Sequence, residues 1–313
     1  MIRVTFLGTG GALPSVVRNV SALMIEREGE SLLFDCGEGT QRQMMRYAVG
    51  FGMSDIFFSH YHADHTLGLP GLLRTMGMQN RTDTLRLIGP TGASEQLGEL
   101  IRLGRDRVKF PIEIITVRPG ERLDRGDYEV VMTEAVHKGA ALSYALVERD
   151  RLGRFDPERA RSLGIPEGPL WGKIHRGESV TLGDGRVVTP GELVGPPRAG
   201  RTVVYSGDTA PSDHLLKLAA GADLLIHEAT FGEDEKERAI ETRHSTAREA
   251  AEQARLAGAR RLALTHISAR YSREAPELLA EARAEFPDTV VAQDGMVIEV
   301  PFREDGGAAE PRG

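Results

Sequence analysis

The chain lacks several features that mark secreted or membrane-bound proteins. Cys36 is its one cysteine, which excludes an internal disulfide. No apolar run approaches the roughly 18 residues that a membrane-spanning helix needs. The start, MIRVTFLGTGG, moves directly into a strand pattern and shows no signal peptide. These observations predict a cytoplasmic protein without a membrane association.

The composition is that of a globular protein large enough to bury a substantial core. The 313 residues are 40% hydrophobic and 27% charged, which is ordinary for a folded protein. The formal net charge of −7 is unexpected for an RNA-binding protein. However, residues 149–201 hold ten Lys/Arg and seven Asp/Glu, whereas the remainder holds 29 Lys/Arg and 39 Asp/Glu. This distribution argues against unspecific coating of RNA and permits a local basic contact.

Residues 59–70 read SHYHADHTLGLP and contain the most informative cluster of the chain. His60, His62, Asp64 and His65 fall within six positions, directly after a short apolar strand pattern. Imidazole and carboxylate groups are common metal ligands, and this spacing allows one turn to serve two adjacent ions. The alternative is a surface His-rich loop with adventitious metal affinity. We predict a metal site at the end of this strand.

Further polar residues stand just beyond other predicted strands. Strand ends held by one scaffold are where ligands from distant parts of a sequence converge. The pattern permits two sheets packed face to face with helices outside, and it predicts a closing hairpin of Thr289–Ala292 and Met296–Val300 around Asp294-Gly295. The polar residues at strand ends are His60, His137, Asp208, His227 and His266.

Residues 149–201 interrupt the regular alternation of strands and helices. This segment holds ten glycines and several prolines, a composition that disfavours a compact core of its own. It therefore reads as an extended insertion, with a long loop packed on the body as the alternative. The tail at 303–313 is rich in Gly, Ala and Glu and is predicted to be disordered.

Several segments, in order along the chain, resemble the motifs of the ribonuclease Z family of the metallo-β-lactamase superfamily. The HxHxDH pattern alone marks the superfamily, whereas the last three segments together are specific to the family. The resemblance covers nearly the whole chain up to about Phe302. The segments are FLGTGGALP (6–14), FDCGEGTQRQ (34–43), SHYHADHTLGLPGL (59–72), SGDT (206–209), HEAT (227–230), HST (244–246) and THISARY (265–271).

The resemblance implies a single catalytic domain over residues 1–302, an αββα metallo-β-lactamase sandwich of the α/β class. Residues 149–201 would form a protruding, flexible arm that binds tRNA. The resemblance also implies a homodimer that acts on precursor tRNA with two Zn²⁺ per subunit, with Mn²⁺ possible. One ion would take His60, His62 and His137, the other would take Asp64, His65 and His266, and Asp208 would bridge them.

The family also implies roles for residues around the scissile phosphate. Asp64 would accept the proton of the attacking water, with a role as a ligand alone as the alternative. His244 would stabilise developing charge or protonate the leaving oxygen. Glu228 would orient this histidine, or else serve the structure alone. His227 reads as a buried residue behind the site rather than a ligand, and Ser245 or Thr246 is expected to cap the following helix.

Two segments are candidates for contacts with RNA. The loop at 14–19 resembles the family's PxKxRN segment, so Arg18 and Asn19 are candidate substrate-binding residues. Val16 stands where the family has Lys, which puts discrimination of tails bearing CCA in question. The segment GIPEGPLWGKIHRGE (164–178) resembles the tip of the family's arm, where Lys173 and Arg176 are the candidate contacts.

These observations favour an endoribonuclease that removes the 3′ trailer from precursor tRNA. It would leave a 3′ hydroxyl on the tRNA and a 5′ phosphate on the trailer by two-metal hydrolysis. A small-molecule phosphodiesterase or other metallohydrolase of the same fold is the second hypothesis. A non-catalytic RNA-binding subunit is the third, although the complete set of ligand residues argues against it.

Overall fold

The computed structural model describes residues 1–271 and 273–303, so the tail predicted to be disordered lies outside the described residues from position 304 onward. The chain forms two compact units. The larger comprises Met1–Val147 and Thr202–Pro301, and the smaller comprises Glu148–Arg201 together with residues 302–303.

The strands and helices mostly coincide with the apolar runs of the sequence. The strands are β1 (Ile2–Gly8), β2 (Gly10–Gly11), β3 (Ala22–Arg27), β4 (Glu30–Phe34), β5 (Asp55–Phe57), β6 (Leu85–Gly89), β7 (Ile112–Thr116), β8 (Arg122–Asp124), β9 (Tyr128–Glu134), β10 (Leu142–Glu148), β11 (Val180–Thr181), β12 (Val187–Val188), β13 (Thr202–Tyr205), β14 (Leu224–Glu228), β15 (Leu262–Thr265), β16 (Ile267–Ser268), β17 (Thr289–Val291) and β18 (Val297–Val300). The helices are α1 (Thr40–Arg46), α2 (Ala63–Thr66), α3 (Leu69–Met78), α4 (Ala93–Arg102), α5 (Pro157–Ser162), α6 (Pro169–His175), α7 (Asp213–Leu218), α8 (Lys236–Thr242), α9 (Ala247–Leu256) and α10 (Pro276–Glu285), with short 3₁₀ turns at Pro190–Glu192 and Glu233–Glu235.

Two mixed sheets form the larger unit. The first has the strand order β18-β1-β3-β4-β5-β6-β7, and the second has the order β17-β15-β14-β13-β10-β9-β8. In the first sheet β4, β5, β6 and β7 run parallel, and in the second β13, β14, β15 and β17 run parallel. Because parallel strands share a direction, their carboxyl ends meet at one edge of each sheet.

The sheets are packed face to face and covered by helices on their outer faces. Their facing side chains form one core, to which Phe6 and Phe34 contribute from the first sheet and Tyr144 and Ile226 from the second. A second apolar cluster lies between the first sheet and helices α1, α3 and α4, and a third lies between the second sheet and helices α7, α9 and α10. This layering is the predicted αββα sandwich.

Helix α9 carries the clearest local signals of its boundaries. Thr246 caps its N-terminus by accepting a hydrogen bond from the Glu249 backbone, and the Glu249 side chain reaches back in a capping box. This confirms that a hydroxyl after His244 caps the helix. Ala247, Ala250, Ala251 and Ala254 form its buried face at helical spacing, so the small side chains allow close packing on the sheet.

The predicted closing hairpin is wrong. Strand β17 pairs in parallel with β15 in the second sheet, whereas β18 pairs antiparallel with β1 in the first. The Asp294-Gly295 turn therefore carries the chain across from one sheet to the other. An Asp-Gly turn between two apolar runs fixes a change of direction, but it does not determine which strand each run pairs with.

The smaller unit has a core, contrary to the expectation from its glycine and proline content. Ala160, Ile165, Ile174, Val180 and Leu193 are buried together. Helices α5 and α6 and strand β11 supply Ala160, Ile174 and Val180, whereas Ile165 and Leu193 lie in the connecting segments. The glycines lie largely in the turns between these elements, where they do not prevent short elements from packing.

Apolar side chains on α3 mostly belong to the core. Leu69, Leu72 and Leu73 are fully buried, while Met78 is exposed at the end of the helix. Among the described residues, no helix combines the length and apolar character needed to cross a membrane.

Candidate metal centre and active site

Side chains from separate strand ends converge at the edge of the two sheets. One group brings the ligand atoms of His60, His62, His137 and Asp208 within 4.8 Å of one another. A second group does the same with Asp64, His65 and His266. The structure thus brings together all the side chains that were predicted to bind metal.

The carboxylate of Asp208 lies between the two groups. Its oxygens are 3.7 Å from His60 Nε2 and 3.9 Å from His137 Nε2 on one side. They are 3.3 Å from both His65 Nε2 and His266 Nε2 on the other. A single buried carboxylate that faces ligands from both groups has the geometry of a bridging ligand.

Asp35 holds two of the histidines from behind, and the sequence analysis assigned it no role. This fully buried carboxylate accepts hydrogen bonds from the Ser59 backbone at 2.7 Å, the Ser59 hydroxyl at 2.8 Å, the Tyr205 hydroxyl at 2.7 Å and His65 Nδ1 at 2.8 Å. Because the Ser59 hydroxyl gives its proton to Asp35, it accepts one from His60 Nδ1 at 3.0 Å. Both rings therefore present Nε2 to the site.

Two further rings are held in the same way. Thr230 gives its hydroxyl proton to Glu228 at 2.8 Å, so it accepts from His266 Nδ1, also at 2.8 Å. His137 Nδ1 donates to the carbonyl of Arg243 at 3.0 Å. Since each Nδ1 is the donor, the Nε2 of each neutral ring carries a lone pair directed at the site.

Two buried atoms at the centre have no hydrogen-bond partner among the described residues. They are His65 Nε2 and Asp208 Oδ1, which face each other at 3.3 Å without forming a hydrogen bond. Buried polar atoms without a partner are rare and need an explanation. A cation ligated by both atoms would satisfy them, so the donor set and its geometry fit a metal ion.

The electrostatics divide the cluster. Burial lowers the pKa of His60, His62 and His137, which favours neutral ligands. Burial also opposes a charge on His65, but the Asp208 and Asp35 carboxylates outweigh it and raise the pKa of this ring well above its usual value. The Asp208 and Asp35 carboxylates thus stabilise positive charge beside His65, and a bound cation would supply that charge.

The backbone around the site adopts conformations that side chains other than glycine rarely take. His266 has φ 57° and Asp35 also has φ 57°. Such left-handed positions persist when surrounding contacts hold them. A Cβ on Gly11 would lie 2.6 Å from the His266 ring. Gly11 is therefore needed for the close approach of the His266 ring, a candidate metal ligand, rather than for phosphate binding.

Glu228 and His244 form a second buried pair beside the metal ligands. Glu228 is fully buried and accepts from the Thr209 backbone at 3.0 Å, the Thr230 backbone at 3.1 Å and His244 Nδ1 at 2.8 Å. Burial opposes a charge on His244, but the Glu228 carboxylate outweighs it and raises the pKa of the ring to about 9. The ring stacks on His266 with centroids 5.3 Å apart, which places it at the metal cluster.

Comparison with known proteins identifies the family. The profile described as "Beta-lactamase superfamily domain" matches residues 173–267, and the one described as "Anti-Pycsar protein Apyc1" matches residues 2–152. A protein of Gemmatimonas aurantiaca named Ribonuclease Z is 56% identical over 304 residues, which cover 96% of this chain and 97% of the relative. One of Haloferax volcanii with the same name is 52% identical over 312 residues, covering 99% and 98%. The chain belongs to the ribonuclease Z family.

Solved structures agree with this ribonuclease Z assignment. The crystal structure of the short form of human tRNase Z is 29% identical, has a TM-score of 0.70, and aligns over 96% of this chain and all of that chain. A metallo-β-lactamase fold protein from Bacillus subtilis, at 22% identity and a TM-score of 0.68 over 96% of this chain and all of that chain, shows the shared fold.

Just before the loop at 14–19 that resembles the ribonuclease Z PxKxRN segment, the backbone contacts the candidate metal cluster. The Ala12 N–H donates to Asp64 Oδ2 at 2.8 Å. Arg18 is buried, and its guanidinium donates to Thr9 Oγ1 at 2.7 Å and to the Ala292 carbonyl at 2.6 Å. These bonds argue against the predicted contact between Arg18 and RNA, because the guanidinium is occupied inside the protein.

The remaining predicted contacts differ in their exposure. Asn19 is half-buried and donates through Nδ2 to the Glu38 carbonyl at 2.8 Å. Lys173 and Arg176 are exposed at the end of helix α6 in the smaller unit. His227 is fully buried and donates through Nδ1 to the Glu228 carbonyl at 2.7 Å, so it lies behind the site as expected.

Replacing Asp35 with Asn tests the support behind the histidines. The amide would place an NH₂ group against donors, leaving buried groups unsatisfied. We expect the free energy of unfolding to fall by about 2–4 kcal/mol in urea titrations and zinc affinity to fall about 10–100-fold in competition with a chelator. Tyr205→Phe, which removes one donor to the same carboxylate, is the matched control and should cost about 1 kcal/mol. Wild-type zinc affinity in Asp35→Asn would contradict the assignment.

Proposed function

We propose that this protein is a zinc-dependent endoribonuclease that removes the 3′ trailer from precursor tRNA, leaving a 3′ hydroxyl on the tRNA. The observation that carries the proposal is the pair of unpartnered buried atoms, His65 Nε2 and Asp208 Oδ1, at the meeting point of two ligand groups. This centre occurs in a chain 56% identical to a protein named Ribonuclease Z.

Two Zn²⁺ per chain fit the proposed centre, with Mn²⁺ as the alternative. His60, His62 and His137 would hold one ion, Asp64, His65 and His266 the other, and Asp208 would bridge them. When bound, such ions acidify water and neutralise charge on a phosphodiester. His62 is exposed whereas His60 and His65 are buried, so substrate would approach from the side of His62.

Asp64 is proposed to accept the proton of the attacking water. Burial opposes its ionised form, but the contact with the His266 ring at 3.3 Å and the charge of His65 outweigh burial and lower the pKa of the carboxyl below its usual range. Its Oδ2 also accepts from the Ala12 N–H at 2.8 Å. These contacts orient a carboxylate that stays ionised at the edge of the centre and can receive a proton.

His244 is proposed to act on the leaving 3′ oxygen, with Glu228 as its positioning residue. Glu228 accepts the Nδ1 proton of His244, and His244 Nε2 has no hydrogen-bond partner among the described residues. The ring can therefore present Nε2 to substrate, either to stabilise developing charge or to donate a proton. The backbone donors that also bind Glu228 keep its carboxylate from turning away.

The smaller unit is proposed to be the arm that grips the body of tRNA. Its segment 149–201 carries a net charge of +3, against −10 for the remainder, and its helix α6 presents Lys173 and Arg176 to solvent. Basic side chains on an exposed helix are suited to phosphate contacts. We also propose a homodimer located in the cytoplasm, and sedimentation of the purified protein as a monomer would contradict the former.

A small-molecule phosphodiesterase remains the second candidate, because the metal centre alone does not specify the size of the substrate. The decisive assay uses the purified protein and a 3′-extended tRNA transcript. We expect one endonucleolytic cut with a 3′ hydroxyl and a 5′ phosphate at the new ends, abolished by a chelator and restored by zinc. Hydrolysis of bis(p-nitrophenyl) phosphate without any tRNA cleavage would favour the small-molecule activity. Binding of tRNA without bound metal or cleavage would favour the non-catalytic subunit.

Replacing His244 with Asn should lower kcat for tRNA cleavage by about 10²–10⁴-fold while the zinc content stays at that of the wild type. Glu228→Gln should lower kcat less, and the double variant should lose less than the product of the two effects, because both changes disable one unit. Steady-state kinetics and metal analysis on the same preparations check this. Loss of zinc in His244→Asn would instead assign His244 a ligand role.

Deleting residues 150–200 should abolish cleavage of precursor tRNA and spare hydrolysis of bis(p-nitrophenyl) phosphate. The reason is that the deletion removes the basic helix but retains every proposed metal ligand, all of which lie in the larger unit. Substituting Lys173 and Arg176 with Gln in the full-length chain is the milder companion variant. Equal loss of both activities upon deletion would count against this division of labour.

A further inference from the structure

Arg243 occupies a position where glycine is the usual residue. It ends helix α8 with φ 60° and ψ 50°, the left-handed conformation that commonly terminates helices. Glycine adopts this conformation without strain, whereas a side chain is disfavoured there. An arginine in this disfavoured conformation, directly before His244, indicates that its side chain has a role.

The backbone carbonyl of Arg243 has a clear role at the metal centre, but this role does not require an arginine side chain. Its carbonyl accepts from His137 Nδ1 at 3.0 Å, a bond that any residue in this position would supply. Its guanidinium Nη1 donates to the His137 carbonyl, also at 3.0 Å. The side chain is thereby anchored to a predicted metal ligand, whose Nε2 lies 3.2 Å from His62 Nδ1 inside the cluster.

The guanidinium of Arg243 has an unpaired charge and unused N–H donors. It carries five N–H donors, and the contact with the His137 carbonyl is the one hydrogen bond it makes to residues 1–271 and 273–303. The Arg243 side chain is exposed, and among residues 1–271 and 273–303 it has no carboxylate within 4.0 Å. Arg270, by contrast, is paired with Glu235.

We propose that Arg243 binds a phosphate of the RNA, either the scissile one or its immediate neighbour. This inference rests on the proposed function. An exposed, unpaired cation anchored beside the metal cluster is placed where the substrate backbone must pass. The planar fork of arginine suits two oxygens of one phosphate, which a lysine ammonium contacts only as a point charge. Arg243 therefore joins substrate binding to the orientation of His137.

The test measures binding of a 3′-extended tRNA to metal-free protein, so that the result does not depend on turnover. R243Q should weaken binding about tenfold or more, the value for a hydrogen bond to a charged group. It should also reduce the slope of log affinity against log salt by about 0.7, the value for one contact to single-stranded nucleic acid. R243K should retain the salt slope and lose part of the affinity.

Two further variants separate binding from structure. R243G relieves the left-handed backbone and keeps the carbonyl that orients His137, so it should match R243Q in binding with a thermal midpoint no lower than that of the wild type. R122Q is the control, because Arg122 on β8 is also exposed but is paired with Glu129 on β9; it should bind as the wild type does. With zinc restored, KM for tRNA should rise in R243Q while the zinc content changes little.

The possible outcomes distinguish this inference from the proposed function. If wild-type protein binds and cleaves tRNA while R243Q and R243G match it in affinity and salt slope, the inference alone is overturned. If R243Q loses zinc and both activities to the same extent, Arg243 serves only the structure of the centre, which also overturns it. If wild-type protein neither binds nor cleaves tRNA, both proposals fail.

Discussion

The whole site depends on hydrogen bonds that lie behind the histidines rather than between them. Imidazole rings can rotate, and either nitrogen can carry the proton. Here the outward Nδ1 atoms of His60, His65, His137 and His266 each meet an acceptor that is itself fixed. Those acceptors take the Nδ1 side of each ring and direct each Nε2 inward, so the four Nε2 atoms converge at the site. This arrangement reduces the reorganisation that metal binding would require.

The fold makes this possible by placing the acceptors and the ligands on the same sheet edges. Asp35 follows β4, the histidine turn follows β5, Asp208 follows β13 and His266 follows β15. Two sheets packed face to face bring these edges together, and the buried aromatic residues between them keep the sheets in register. The left-handed backbone at Asp35 and His266 is then held by contacts on all sides, which stores strain where position matters most.

The sequence predicted the centre of the site better than its surroundings. Histidine and carboxylate groups at short, recognisable spacing mark a candidate metal site, so the convergence of His60, His62, Asp64 and His65 could be predicted without a structure. Asp35 was missed because a lone carboxylate after a strand has no partner at a recognisable spacing. Like the candidate ligands, however, it stands just beyond the end of a strand. The burial of Arg18 could not be read from the sequence, because it depends on tertiary packing and one acceptor of its guanidinium, the Ala292 carbonyl, lies far away along the chain.

The Asp294-Gly295 turn, which was predicted to close a hairpin, instead supports a loop beside the site. Because the turn crosses between sheets, Asp294 comes to face the loop that follows β1. It accepts from the backbone of Thr9 at 3.0 Å and from that of Asn19 at 2.7 Å, so both ends of the loop are fastened to one carboxylate. Between them the loop leaves Val16 fully exposed.

A hairpin within one sheet would not place a carboxylate between the two ends of this loop. The crossing therefore gives the loop a rigid base, while the Ala12 N–H at its start reaches Asp64. The crossing that the sequence pattern could not predict thus supports the loop whose backbone holds the proposed proton acceptor.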